Sequence, residues 1–495
     1  MAKIETDHEA IEIDRSTFFE RTQAKKIQTY REYALGAQLR TLTPEQELLL
    51  EALLGNDFAD NVCHQIIAED ADRLELLRFQ VEDTAVQEWL DDWWTRVNLD
   101  DESGETHYAA LRDGNYAVSL SYSEEYERVC IHREPWWNGQ SGVFIAYDAQ
   151  GEPLYAVKDW QALIDGMVMT RRIVWYEDRL ERYVSEGGGG ALGGLTFSPY
   201  PLPGESHYIQ PWEKADGSPL HIPIIHFANS GRGPANYGVS ELAGGVIGFQ
   251  DQINDLQYDI SAAARLTAFQ MLTATGMGDV RDEDGNPTLL EIGPGKILRS
   301  ETNEARFGVL PSGDMSQLIA VYNEKMRAVS RMTRTPLHSI TGGDWPSGEA
   351  LGRAEMPLVG KCQRQIKKFT AAWQTVAHRA TEIANVYQKA NLNEDANIAA
   401  IFGDPRRPDK AQIAKDNLAF WQAAQAAVTA GCPIDLYLKR EGWEEDEVSE
   451  YMERKAQEDA EQEARQLRLE SAKRPVVVQG SADNQQGTKS TQQAA

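Results

Sequence analysis

Gly295-Lys296 is the nearest approach in this chain to a phosphate-cradling loop, and it falls short. Ile297 follows the lysine where Ser or Thr would hold magnesium, and Leu290 stands where the first glycine belongs. A nucleotide-driven motor is therefore not expected. Residues 280–291 (VRDEDGNPTLLE) place Asp282, Asp284, Gly285 and Glu291 at positions 3, 5, 6 and 12 of a calcium loop. Val280 at position 1 offers no oxygen and Pro287 interrupts the run, so a β-hairpin turn is the expectation. The nine histidines show no HExxH or other paired ligand spacing, and no GxSxG elbow occurs. His221 and His226 flank a strand-like run and read as core or edge histidines. Acidic pairs such as Asp91-Asp92 and Glu124-Glu125, together with 12 tryptophans, would suit a glycosidase, but nothing fixes a separation between two carboxylates. No catalytic residue, metal or cofactor is expected.

Composition narrows the class. At 495 residues the chain is long enough for about three domains. With 41% hydrophobic and 25% charged residues it has the balance of a folding, water-soluble chain. Its formal charge of −28 argues against a coat that neutralises phosphates along nucleic acid. The acid is concentrated: residues 1–110 hold 10 basic and 25 acidic side chains, whereas residues 314–391 hold 11 basic and 6 acidic. Cys63, Cys130, Cys362 and Cys432 lie far apart and read as buried thiols of a reducing compartment. The charged N-terminus and the lack of any 18-residue apolar stretch predict neither signal peptide nor membrane span, and hence a protein used in a cytoplasm.

The elements follow from periodicity. Helical spacing predicts helices over 16–37, 57–72, 84–98 and 103–113. From 114 onward short β-branched and aromatic runs separated by Gly, Pro and Asp predict an antiparallel sheet, giving an α+β region. The run SEGGGGALGGL reads as a loop without phosphate-cradling offsets. In 239–268, Leu242, Val246, Phe249, Ile253, Leu256 and Ile260 step by 4 and 3, a seam opposite Gln250, Asn254, Gln257 and Ser261. Such a rod would be roughly 45 Å long. A β-rich stretch at 269–313 separates it from a second rod at 314–334. The loop PLHSITGGDWPSG (336–348) leads into a long helix that Pro357 should kink. Residues 405–474 read as further helices, and the tail after Pro475 has no periodicity.

Together these segments resemble the portal proteins of tailed bacteriophages, most closely those of phages with long non-contractile tails. The residues that carry the resemblance are HIPIIHFANSGRGPANYGVSEL running into GGVIGFQDQINDLQYDISAAARLTAFQ, the excursion ending PGKILRS, the second rod, and GGDWPSGEAL. Weaker echoes are TYREYALGAQ, NVCHQIIAEDADRL and AALRDGNYAVSLSY. The resemblance implies an α+β, mainly helical subunit: a wing (1–238), a stem helix (239–268), a clip (269–313), a second stem helix (314–335), a tunnel loop (336–348), a long kinked helix (349–404), a helical crown (405–474) and a tail (475–495).

The resemblance also implies a ring, usually of twelve copies, at one capsid vertex of the virion, assembled in the host cytoplasm. Double-stranded DNA is packaged and ejected through its channel without sequence specificity. Its implied partners are the major capsid and scaffold proteins, the terminase large subunit and a head-completion adaptor, with no membrane. Thr341, Gly342, Gly343, Asp344, Trp345, Pro346 and Ser347 would line the channel, with Asp344 and Trp345 facing it. A basic set, Lys325, Arg331, Arg334, Lys361, Arg364, Lys367 and Lys368, would meet DNA, a neighbouring subunit's acids or terminase. The competing readings are another ring-forming virion adaptor or scaffold and, from the carboxylates and tryptophans, an acidic hydrolase.

Overall fold

In the computed structural model the described residues are 18–37, 60–148, 150–185, 197–202, 206–214, 216–229, 237–268, 272–275, 306–309, 315–341, 348–406, 410–443 and 445–472. They fall into two compact units, Met1–Arg407 and Pro408–Ala495. The first begins with α1 (Phe18–Leu35), α2 (Val62–Ala71), β1 (Leu76–Gln80), α3 (Thr84–Val97) and α4 (Leu99–Asp113). Asp83 caps α3 by accepting from the N–H groups of Ala85 and Val86. α4 starts four residues earlier than its spacing predicts. Asn98 takes a left-handed backbone (φ 52°), so one residue closes α3 and opens α4.

Next come β2 (Asn115–Ser123), β3 (Arg128–Pro135), β4 (Gly142–Tyr147), β5 (Pro153–Ile164), β6 (Met167–Trp175), β7 (Arg179–Ser185), β8 (Phe197–Pro199), β9 (Ile209–Pro211) and β10 (Ile224–Ala228). They form two antiparallel sheets. One has the order β10-β2-β3; the other runs β4-β5-β6-β7-β8, with β9 also paired to β7. A hydrogen bond of 2.9 Å from the Tyr147 hydroxyl to Nδ1 of His226 ties one sheet to the other.

The remaining elements of this unit are α5 (Val246–Ala268), β11 (Leu272–Thr275), β12 (Arg306–Val309), α6 (Met315–Thr333), α7 (Leu337–Thr341), α8 (Gly348–Tyr387) and β13 (Ala399–Phe402). β13 pairs antiparallel with β1, a bond between segments more than 300 residues apart. α8 crosses the β10-β2-β3 sheet and buries Cys362, Phe369, Trp373, Val376, Ala380 and Ile383. Phe227 of β10 meets Trp373 edge-on at 4.9 Å. The His107 ring stacks on Phe369 at 5.0 Å and accepts from the Trp373 indole N–H at 2.8 Å. Pro357 lies inside α8 and withholds one N–H from its ladder, yet helix continues on both sides of it.

The second unit contains α9 (Lys410–Thr429), α10 (Ile434–Arg440) and α11 (Glu445–Ala472). An aromatic cluster holds them: Phe420 stacks on Trp443 at 6.2 Å and Trp421 on Tyr451 at 5.4 Å. α11 is polar over most of its length but turns Val448 inward. The Gly-rich run, the partial calcium loop and the tail lie outside the described residues.

His107 and His226 are both fully buried, and burial lowers the pKa of each to about 3. In the unfolded chain each should titrate near 6.5. The unfolded state therefore binds more protons between those values, and both contributions to stability are present above pH 6.5 and lost as pH falls toward 3. The thermal midpoint of the first unit should fall steadily on acidification from pH 6.5 to 4. His226→Gln should flatten that slope, even if it lowers the midpoint at pH 7; an unchanged slope in this variant would refute the assignment.

Candidate functional site: the paired rods and the ionic hub at their junction

The rods α5 and α6 pack side by side and β11 pairs antiparallel with β12, joining the two ends of the excursion between them (Leu272↔Val309 to Thr275↔Arg306). α5 begins at Val246 rather than 239, because Gly244 and Gly245 take positive φ (75° and 101°) and turn the chain just before it. Leu242 is buried within that turn rather than on the helix. Val246 and Ile253 are buried, while Phe249, Leu256 and Ile260 are half-buried. The facing side of α6 contributes Met326 and Val329.

The polar side of α5 is not simply a solvated face. Gln250 is 2% exposed and its amide oxygen accepts from the Cys63 N–H at 3.2 Å. Asp60 accepts from Gln257 at 3.2 Å and from the Tyr322 hydroxyl at 2.7 Å, bridging both rods to the start of α2. Farther round α5, Asp251, Asp255 and Asp259 are exposed one turn apart. Burial and then the charges of Asp251 and Asp259 raise the Asp255 pKa above its ordinary value. α6 exposes Arg327 and Arg331, each within ion-pair distance of Glu324, and leaves Ile319 and Val321 both 45% exposed.

Close backbone approach fixes where the rods start. A Cβ at Gly238 would lie 1.9 Å from the Gly114 carbonyl oxygen, and Gly114 itself has φ +83°. The Asn115 side chain accepts from the Gly238 N–H at 2.7 Å and Asn229 donates to Glu241 at 2.9 Å. The segment entering α5 is thus hydrogen-bonded to the edge of the sheet.

Lys361 meets this junction from α8. Its ammonium lies 2.7 Å from Asp70 of α2, 3.2 Å from Glu241 at the α5 entrance and 2.8 Å from the Thr333 carbonyl at the end of α6. This corrects its placement on a surface basic face: its side chain is 7% exposed and held by acids of the same chain. The two carboxylates outweigh desolvation and raise the lysine pKa, so it stays charged. Asp70 is also raised, by burial first, with Lys361 opposing and Glu241 adding to the rise. Arg73 forms a second tie, to Glu69 at 2.9 Å and to Glu355 of α8 at 3.3 Å.

The rest of the basic set does not converge. Lys325 lies 5.6 Å over the Phe249 ring between the rods. Arg331 is paired as above, and Arg334 is exposed at a positive φ of 62° where the chain leaves α6. Arg364, Lys367 and Lys368 stay exposed on α8. Thr341 ends α7 and is exposed, its hydroxyl bonding the Leu337 carbonyl at 2.9 Å. Gly342, Gly343, Asp344, Trp345, Pro346 and Ser347 lie outside the described residues.

Among the described residues no group of three or more His, Cys, Asp and Glu side chains could hold a metal ion. No described helix is long and apolar enough to cross a membrane. The arrangement instead holds two rods rigidly at one end and leaves their flanks charged.

Removing one partner of a buried ion pair leaves the other uncompensated, at a cost of about 3–5 kcal/mol. Lys361→Met should lower stability to chemical denaturant by an amount of that order, and adding Asp70→Asn should recover part of it. Additive losses in the double variant would show that the two groups do not interact.

Solved structures similar to the chain include three from gene transfer agent (GTA) particles. The neck of an empty GTA particle computed with C6 symmetry shares 12% identity at a TM-score of 0.42, covering 79% of this chain and 94% of that one. The virion of a native gene transfer agent particle shares 14% at 0.39, covering 82% and 99%. The neck of a native GTA particle computed with C12 symmetry shares 12% at 0.40, covering 79% and 95%. No curated protein sequence matches. The family model described as "Phage portal protein, SPP1 Gp6-like" matches residues 74–464, well over half of the chain and both compact units, and the chain therefore belongs to that portal protein family.

Proposed function

We propose that this subunit assembles into a ring at one capsid vertex. Genomic DNA is packaged by the terminase large subunit and later ejected through its channel, and a head-completion adaptor and the tail attach to it. Capsid and scaffold proteins are its other partners, in particles assembled in the host cytoplasm. The role is structural and gating, without catalysis of its own.

The observation that carries this reading is the rod pair in a chain of the portal family. Each subunit offers a stripe of Asp251, Asp255 and Asp259 on α5 and exposed Arg327 and Arg331 on α6. Like charges one turn apart destabilise a lone helix. Rods set side by side around an axis place that stripe against the next subunit's arginines, a head-to-tail contact that closes a ring. Passage of a polyanion is favoured by few fixed cations, since each phosphate held by Lys or Arg resists movement. The chain's charge of −28 fits that demand, and so does the withdrawal of Lys361 into an internal ion pair. Residues 341–347 are assigned to the channel constriction, with Trp345 giving bulk without positive charge.

Native mass spectrometry of the purified chain should give a species of roughly 665 kDa, twelve copies of 55.4 kDa, seen in particle images as a ring with a hole wide enough for duplex DNA. A monomer that persists with capsid and scaffold proteins present would overturn the reading. Shortening 341–346 should leave the ring mass unchanged while reducing DNA packaging or retention, and normal packaging by that variant would remove the loop from the channel.

A further inference from the structure

The β5–β6 hairpin overhangs its own sheet. β4 pairs with β5 only as far as Gly142↔Asp159, and β7 pairs with β6 only from Thr170↔Ser185. Beyond those points Ala162–Ile164 and Met167–Met169 pair, among the described residues, with each other alone, around a turn in which Asp165 and Gly166 both have positive φ (50° and 79°). A two-stranded ribbon of this kind is marginal in water by itself, and its tip is apolar on both faces. Leu163 lies opposite Val168 and Ile164 opposite Met167; Leu163, Met167 and Val168 are 73%, 59% and 49% exposed. Asp165 is the one charged residue in 161–170.

At the other end of β5, where Pro153 begins the strand, lies an open groove of about 1090 Å³ between β4, β10 and α8. Ile145, Ile224 and Ala371 give its lining an aliphatic part, Glu152 and Glu177 an acidic one, and its α8 side carries Lys367, Lys368 and Arg379. That volume is just above the ~300–1,000 Å³ of a typical ligand pocket, so several side chains fit. β5 spans 12 residues, which at about 3.3 Å per step sets tip and groove roughly 36 Å apart. No subunit can therefore bring its own tip to its own groove.

We propose that the β5–β6 tip of each subunit inserts into the β4–β10–α8 groove of the next copy, Leu163 and Val168 against its aliphatic part and Asp165 toward Lys367 and Lys368. A patch and a pocket at opposite ends of one molecule make a heterologous contact, which closes into a ring when the rotation permits. The inference rests on the ring assignment and adds a specific contact to it, one that gives the exposed lysines of α8 a partner in the neighbouring subunit.

The test is oxidative cross-linking of the full chain carrying Val168→Cys and Thr375→Cys, with Cys130→Ser and Cys432→Ser; Thr375 is an exposed residue of the groove. Oxidation should give a ladder of covalent multiples. Leu163→Asp with Val168→Asp should cut ring abundance at least tenfold while leaving the monomer's thermal midpoint unchanged, because both side chains are exposed. Asp165→Lys should weaken the ring, and Lys367→Glu with Lys368→Glu should restore it. Rings of normal mass that yield no ladder, or that tolerate the two aspartates, overturn this contact and leave the ring assignment standing. Absence of any ring from the unmodified chain overturns the ring assignment, and the contact with it.

Discussion

The ammonium group of Lys361 is the point at which several otherwise separate helices are held in one place. It reaches from α8 to a carboxylate on α2, a carboxylate at the entrance to α5 and the Thr333 carbonyl that ends α6. A buried ion pair rarely adds much net stability over a well-packed apolar group, because desolvation offsets most of the attraction. It does penalise every arrangement in which any one of those partners moves away. Two rods joined by short segments could slide or splay against the sheet with little loss of apolar contact. The three-way bond at Lys361, with the Arg73 tie beside it, removes that freedom at the end where the rods meet the rest of the unit.

Much of this was legible in the residues. From Val246 onward the 4–3 steps of α5, and the β-branched runs between 115 and 185, correspond to a helix and strands where periodicity places them, because burial on one face imposes that period directly. Other features had no local signal. β13 pairs with β1 across the length of the unit, and four residues reading AAIF carry no mark of that partner. Gln250 resembles its solvated neighbours in sequence, yet it is buried because a backbone N–H of α2 needs an acceptor there. In sequence Lys361 groups with Arg364, Lys367 and Lys368, because four cations in eight residues look like one surface. Helical geometry separates them, and only Asp70, nearly 300 residues away, decides which one is internal. A lysine amid Cys362 and Leu358, both wholly buried, was the available clue.

The charge balance acquires a different meaning once its placement is known. Of the eleven basic residues in 314–391, one neutralises buried acid, one covers an aromatic ring between the rods and another answers Glu324 on its own helix. Those three are therefore spent on internal cohesion. Among those left exposed are Arg327, Arg334 and Arg353 and the short run Arg364, Lys367 and Lys368 on α8, while α5 exposes an acid stripe.

The pairing of β11 with β12 has a further consequence for how such a chain can vary. The backbone on either side of 276–305 is held in register at its two ends, so the spacing of the rods is fixed before the intervening residues are reached. Insertion, deletion or replacement within that segment need not alter the rods at all. The β11–β12 pair thus uncouples the packing of α5 against α6 from the composition of the residues between the two strands.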